Sequence, residues 1–144
     1  MKQKIGKIIT SVVISGALFN LTLACNSGEE CFKKGFELYN AGKKKEAYQY
    51  GVKSCEKFNY GKGCFGLGYL YEHGDGAPKD MNKALSYYKK AASGEEKLCG
   101  SGDGQACYEL GYMYEHGYGI SKDPNKAKKL YQKACKLGYK KGCK

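Results

Sequence analysis

Apolar and small residues in the middle of this chain recur with a helical period. Cys64, Leu67, Gly68 and Tyr71 fall at i, i+3, i+4 and i+7 and so share one helical face. After a short polar stretch, Ala84, Tyr88 and Ala91 mark the apolar face of a second helix. Between them stand Gly74 and Gly76, which adopt at low cost the positive φ that ends a helix and turns the chain. Asp80 occupies the position where an N-cap is needed. The pattern predicts helix, turn, helix, with Gly68 and Ala84 small enough to let the two helices approach closely.

The unit is used more than once. LGYLYEHGDGAPKD, from Leu67, returns as LGYMYEHGYGISKD, from Leu110, 43 positions later. Gly117, Gly119 and Asp123 repeat the turn and the cap, and Pro124 follows at the first helical position, where its missing N–H costs nothing. Ala127, Tyr131 and Ala134 repeat the second apolar face. A shorter version starts at Cys31, where GKKKEA replaces GDGAPKDMNKA while Gly35, Leu38, Ala47 and Cys55 keep their places. Self-similarity at this period predicts an all-α fold, a solenoid of stacked two-helix units at 31–63, 64–106 and 107–143. The middle unit departs at its end, where Ala92 stands in for Cys135 and Cys99 comes seven residues later. Seven residues are close to two turns, so SGEEKL either extends the helix and keeps Cys99 in phase, or forms a loop, because Gly94 weakens a helix.

Residues 1–24 read differently. Lys2, Lys4 and Lys7 precede an apolar run that ends in small residues before Cys25, the pattern of a secretory signal peptide. The repeat domain then spans 25–144, and the expected location is secreted or periplasmic. Cleavage after Ala24 would make Cys25 the first mature residue. Cys25 then either carries a lipid, which would make the chain an outer-membrane lipoprotein, or joins a disulfide. Thr22, where lipoprotein signals usually place Leu, weighs against the lipid. The formal net charge is +11, three of those charges lie in the signal segment, and every basic residue is lysine. Base and phosphate readout favours arginine forks, so nucleic acid is not the expected partner.

Eight cysteines, all at or after Cys25, point to disulfides in an exported chain. Cys99 and Cys107 are eight apart, as are Cys135 and Cys143, and Cys55 and Cys64 are nine apart, a framework of similar short loops. Zinc is the rival, but no CxxC occurs and neither histidine has ligand spacing from a cysteine. No metal or cofactor is expected.

The string LGYxYEHGxGxxKDxxKAxxxYxKAC, with a further cysteine eight residues on, resembles the Sel-one-like repeat in the disulfide-stapled form of the Helicobacter cysteine-rich proteins, relatives of tetratricopeptide repeats. The resemblance implies an exported α/α solenoid in which each disulfide ties the second helix of one unit to the first helix of the next. The expected pairs are Cys55–Cys64, Cys99–Cys107 and Cys135–Cys143, with Cys25–Cys31 if Cys25 carries no lipid. The resemblance also implies either an interaction module or a protein that binds or slowly hydrolyses β-lactams.

YEHG reads mainly as a helix end and its cap, because His73 and His116 end equivalent helices and packed helices lie ~8–10 Å apart, too far for a shared metal. Another face carries more. Phe65, Tyr69 and Glu72, repeated by Tyr108, Tyr112 and Glu115, sit off the core face with His73 and His116 beside them, and Phe32 and Phe36 extend the aromatic ladder. This ladder either lines a concave groove for a peptide, protein or peptidoglycan-like ligand or packs between units. For a serine hydrolase, SCEK at Ser54 and SYYK at Ser86 match S-x-x-K, but two matches are near chance in so lysine-rich a chain and neither SDN nor KTG occurs. At the other end Lys144 stands where a further first helix would begin, so the last unit's flank is expected to be uncovered, with fraying or weak self-association.

Overall fold

The computed structural model describes residues 23–143, and the signal-peptide reading of residues 1–22 lies outside them. Six helices form three antiparallel hairpins: α1 (Gly28–Asn40) with α2 (Lys44–Val52), α3 (Gly61–His73) with α4 (Met81–Gly100), and α5 (Gly104–His116) with α6 (Pro124–Lys136). A single π-helical turn, Lys53–Lys57, extends α2, and a 3₁₀ turn, Lys140–Gly142, follows α6. Each hairpin begins three residues ahead of the cysteine that opens the sequence unit. The hairpins stack in chain order, α2 on α3 and α4 on α5.

Local chemistry sets the helix ends. The Ser27, Asp80, Asp103 and Asp123 side chains accept from the backbone N–H three residues on, and Pro124 opens α6. Gly74 and Gly117 cap α3 and α5 at φ 70° and 76°. SGEEKL is helical. Ala84, Tyr88, Ala91, Ala92, Glu95 and Cys99 form one buried stripe along α4, and that packing offsets the ~1 kcal/mol that Gly94 costs relative to alanine. Where α4 passes the start of α3, a Cβ on Gly94 would make only an ordinary contact, 3.7 Å from the Gly61 Cα.

The core is thin. Its fully buried side chains are Leu67, Met113, Ser54 and half-cystines, with Ala84, Ala91, Ala127 and Ala134 beside them, so helices approach at small residues. A Cβ on Gly68 would lie 2.8 Å from the Tyr88 ring and one on Gly111 2.8 Å from the Tyr131 ring, which fixes both positions as glycine. Tyrosine supplies much of the remaining apolar area: Tyr71, Tyr88 and Tyr131 are buried, and the Tyr48 and Tyr71 hydroxyls hydrogen-bond at 2.8 Å.

Four disulfides join Cys25–Cys31, Cys55–Cys64, Cys99–Cys107 and Cys135–Cys143, with Cα atoms 5.1, 4.5, 4.6 and 4.8 Å apart. The second links the end of the first hairpin to α3, and the third links α4 to α5, as the resemblance implies. With its sulfur bonded to Cys31, Cys25 has no thiol left to carry a lipid. Loops reinforce the stack. Asp75, in the α3–α4 turn, accepts from the Tyr39 hydroxyl at 2.9 Å and pairs with Lys44 of the first hairpin. No helix among the described residues is long and apolar enough to cross a membrane.

Candidate functional site: an aromatic groove across three hairpins

A groove of about 520 Å³ crosses the stack and takes its walls from all three hairpins. It forms because the first helix of each unit turns its core stripe toward its own partner helix and leaves a neighbouring stripe of rings uncovered. Phe32, Phe36 and Tyr39 come from α1, Phe65 and Tyr69 from α3, and Tyr108 and Tyr112 from α5. Successive rings touch: Phe32–Phe36 at 6.3 Å between centroids, Tyr39–Tyr69 at 6.0 Å and Phe65–Tyr112 at 6.4 Å.

The ladder divides into two kinds of ring. Phe65 packs on Tyr88 and Tyr118 at 5.0 and 5.2 Å, and Tyr108 on Tyr131 and Tyr139 at 5.2 and 5.4 Å, so these two are half-buried between elements. Phe36, Tyr69 and Tyr112 are 58%, 36% and 38% exposed and form the open part of the wall.

The acidic and imidazole groups beside the ladder point elsewhere. Glu72 accepts from the Tyr88 hydroxyl and Glu115 from the Tyr131 hydroxyl, both at 2.5 Å, which ties each first helix to its second. Burial, followed by these bonds, raises the two tyrosine pKa values. The His73 and His116 Nδ1 atoms bond the carbonyls of Tyr69 and Tyr112 at 3.0 and 2.9 Å, so Nδ1 carries the proton. Their rings stack on those tyrosines at 4.0 and 4.1 Å. The histidines brace the open rings and do not line the groove. Among the described residues, no three His, Cys, Asp or Glu side chains cluster as metal ligands would.

The serines of the two S-x-x-K strings also lie off the groove. Ser54 is fully buried and its hydroxyl donates to the Gly28 carbonyl at 2.6 Å, while Ser86 is exposed on α4. With excess penicillin, the intact mass of the oxidised protein is expected to stay unchanged. A stoichiometric adduct on either serine would show a nucleophile that this geometry does not provide.

Three ionisable groups enter the groove that the aromatic pattern did not single out. Glu95 is 5% exposed and packs against the Gly61 backbone, where a Cβ would overlap its carboxyl. Burial, with help from Glu109, pushes its pKa up to about 8 against the opposing pull of Lys62. Lys62 lies 3.0 Å from Glu109 across the α3–α5 boundary. The signal for Glu95 was present: once SGEEKL is helical, position 95 follows Ala84, Tyr88 and Ala91 on the apolar stripe.

The Sel1 repeat family model matches residues 61–95 and 104–139, the second and third hairpins nearly end to end. The chain belongs to the Sel1 repeat family. The Sel1 scaffold is a protein-interaction module, and here its matched repeats supply the α3 and α5 walls of the groove. The chain is similar to a Sel1 repeat protein of Oxalobacter formigenes, at 29% identity and a TM-score of 0.53 over 81% of this chain and 46% of that one. It is also similar to Helicobacter pylori cysteine rich protein B, 41% identical, with 69% of each chain covered and a TM-score of 0.44. Among curated proteins it resembles the chitin synthase regulator SKT5 of Saccharomyces cerevisiae, 40% identical over 52 residues. Those residues are 36% of this chain and 7% of the yeast protein, and the chain spans under half of the Oxalobacter structure.

Proposed function

We propose that this Sel1 repeat protein is an exported interaction module that holds a peptide segment of a partner protein in the aromatic groove. The observation that carries the reading is the open wall of Phe36, Tyr69 and Tyr112, one ring from each hairpin, held out of the core in a groove of about 520 Å³. Large amphipathic rings in a preformed concavity are what binding anchors are made of. The signal-like segment 1–24 supports export, as do four disulfides, which persist in oxidising compartments.

Peptides selected from a display library on the oxidised protein test this. Their affinity is expected to fall by roughly 30- to 1000-fold, about 2–4 kcal/mol, in the Tyr69→Ala, Tyr112→Ala variant, because two anchors are lost. Helical content and disulfide pairing should not change, since neither ring belongs to the buried core. Selected peptides that bind the variant as well as the parent, or a variant that unfolds, would overturn the reading.

A further inference from the structure

The groove contains a carboxyl group that the other described residues leave unmatched. Glu95 lies in its lining and is 5% exposed. No hydrogen bond or ion pair joins it to another described residue, so its carboxyl oxygens open to the solvent of the groove. The neighbouring carboxylate is matched already, since Lys62 Nζ stands 3.0 Å from Glu109 Oε1. The groove therefore holds two carboxyl groups and one ammonium, in a protein whose formal net charge is +11. Resting on the reading of the groove as a peptide site, the geometry points to its occupant: a segment with a lysine between apolar residues, its ammonium on Glu95 and its neighbours on the exposed rings.

The chemistry selects lysine in two ways. The methylene stem can lie along aromatic walls while the compact head reaches a recessed carboxyl. An arginine fork prefers both oxygens of a carboxylate, and here Oε1 is turned against Gly61. The charged and titratable groups around Glu95 are Lys62 of α3, Tyr60 just ahead of it, Glu109 of α5 and Asp103 at its N-cap. A bound ammonium would complete the pairing that Lys62 makes with Glu109. Because burial holds the Glu95 proton, binding below about pH 8 should release that proton to the buffer.

Calorimetry on the full oxidised chain tests the assignment with an acetylated, amidated peptide Leu-Tyr-Lys-Tyr-Leu and its norleucine counterpart. The lysine peptide is expected to bind at least about tenfold more tightly, as a charge-assisted bond implies. In Glu95→Gln the ratio should fall to about one, with norleucine affinity kept. At pH 6.5 only the lysine peptide on the parent should show heat that varies with the buffer's ionisation enthalpy. Equal affinities on the parent overturn the lysine assignment, and the groove then stands if Tyr69→Ala, Tyr112→Ala weakens both peptides. No binding of either, or binding that the tyrosine variant leaves intact, overturns both readings. An arginine peptide that binds more tightly than the lysine peptide overturns the primary ammonium.

Discussion

Replacing Gly119 with alanine is expected to destabilise the protein by roughly 3–4 kcal/mol, while the same change at Gly117 costs about 1–2 kcal/mol. The two glycines are near neighbours in one turn and have almost the same backbone, φ 70° and 76°. Any L-residue meets the left-handed penalty at both. They differ in what surrounds them. At Gly117 a Cβ would have only ordinary contacts, the nearest to Lys122 Cβ at 3.5 Å. At Gly119 it would overlap the Lys89 amide nitrogen and the Tyr88 carbonyl carbon, backbone atoms of α4 that no rotamer change can move. The α5–α6 turn thus lies directly on the second helix of the preceding hairpin. Gly76 does the same one unit earlier, where a Cβ would overlap the Lys44 carbonyl. Denaturant unfolding with the disulfides intact measures both losses. Equal losses at the two sites would show that the turn adds nothing to the stacking of hairpins. A loss of this size is a large part of the 5–15 kcal/mol that holds a domain together.

The Gly119 contact shows where reading by sequence stops. Positive φ at Gly74, Gly76, Gly117 and Gly119 was legible, because a helix end followed by an N-cap demands a turn there. The caps at Asp80 and Asp123, the core faces and the cysteine pairs were legible for the same reason, since each is set by neighbours a few residues away or by the repeat. The backbone-to-backbone approach of Gly119 to Tyr88 joins different units, and no local period encodes it. The partners of Glu72 and Glu115 are likewise not local: their spacing from Tyr69 and Tyr112 places them beside the groove, and their hydrogen bonds go to Tyr88 and Tyr131 on the facing helix. Among the aromatics, period alone could not separate Phe65 and Tyr108, wedged between elements, from the open Tyr69 and Tyr112. Glu95 depended on whether residues 93–98 are helix or loop, and only the helix places it on the apolar stripe.

That carboxyl gives the protein a pH dependence of unusual sign. An ordinary carboxylate with a partner has a lowered pKa and stabilises the fold as pH rises. Glu95 is raised from 4.5 to about 8, first by burial, then by Glu109, with Lys62 pulling the other way. Between these values the unfolded chain has lost the proton and the folded chain keeps it. The stability that Glu95 contributes is therefore fully present below about pH 4.5, falls as pH rises toward 8, and is level above that. Glutamine keeps the shape and cannot ionise. Glu95→Gln should leave stability nearly unchanged at pH 4 and raise it at pH 9, by on the order of 2–4 kcal/mol relative to the parent. Comparing parent and variant at each pH cancels the titration of the other groups they share. Denaturant midpoints for both proteins across pH 4 to 9 measure this directly. A difference that does not change with pH would mean that the carboxyl is solvated in the groove, and a variant less stable than the parent at pH 9 would mean that the ionised form has a partner in the fold.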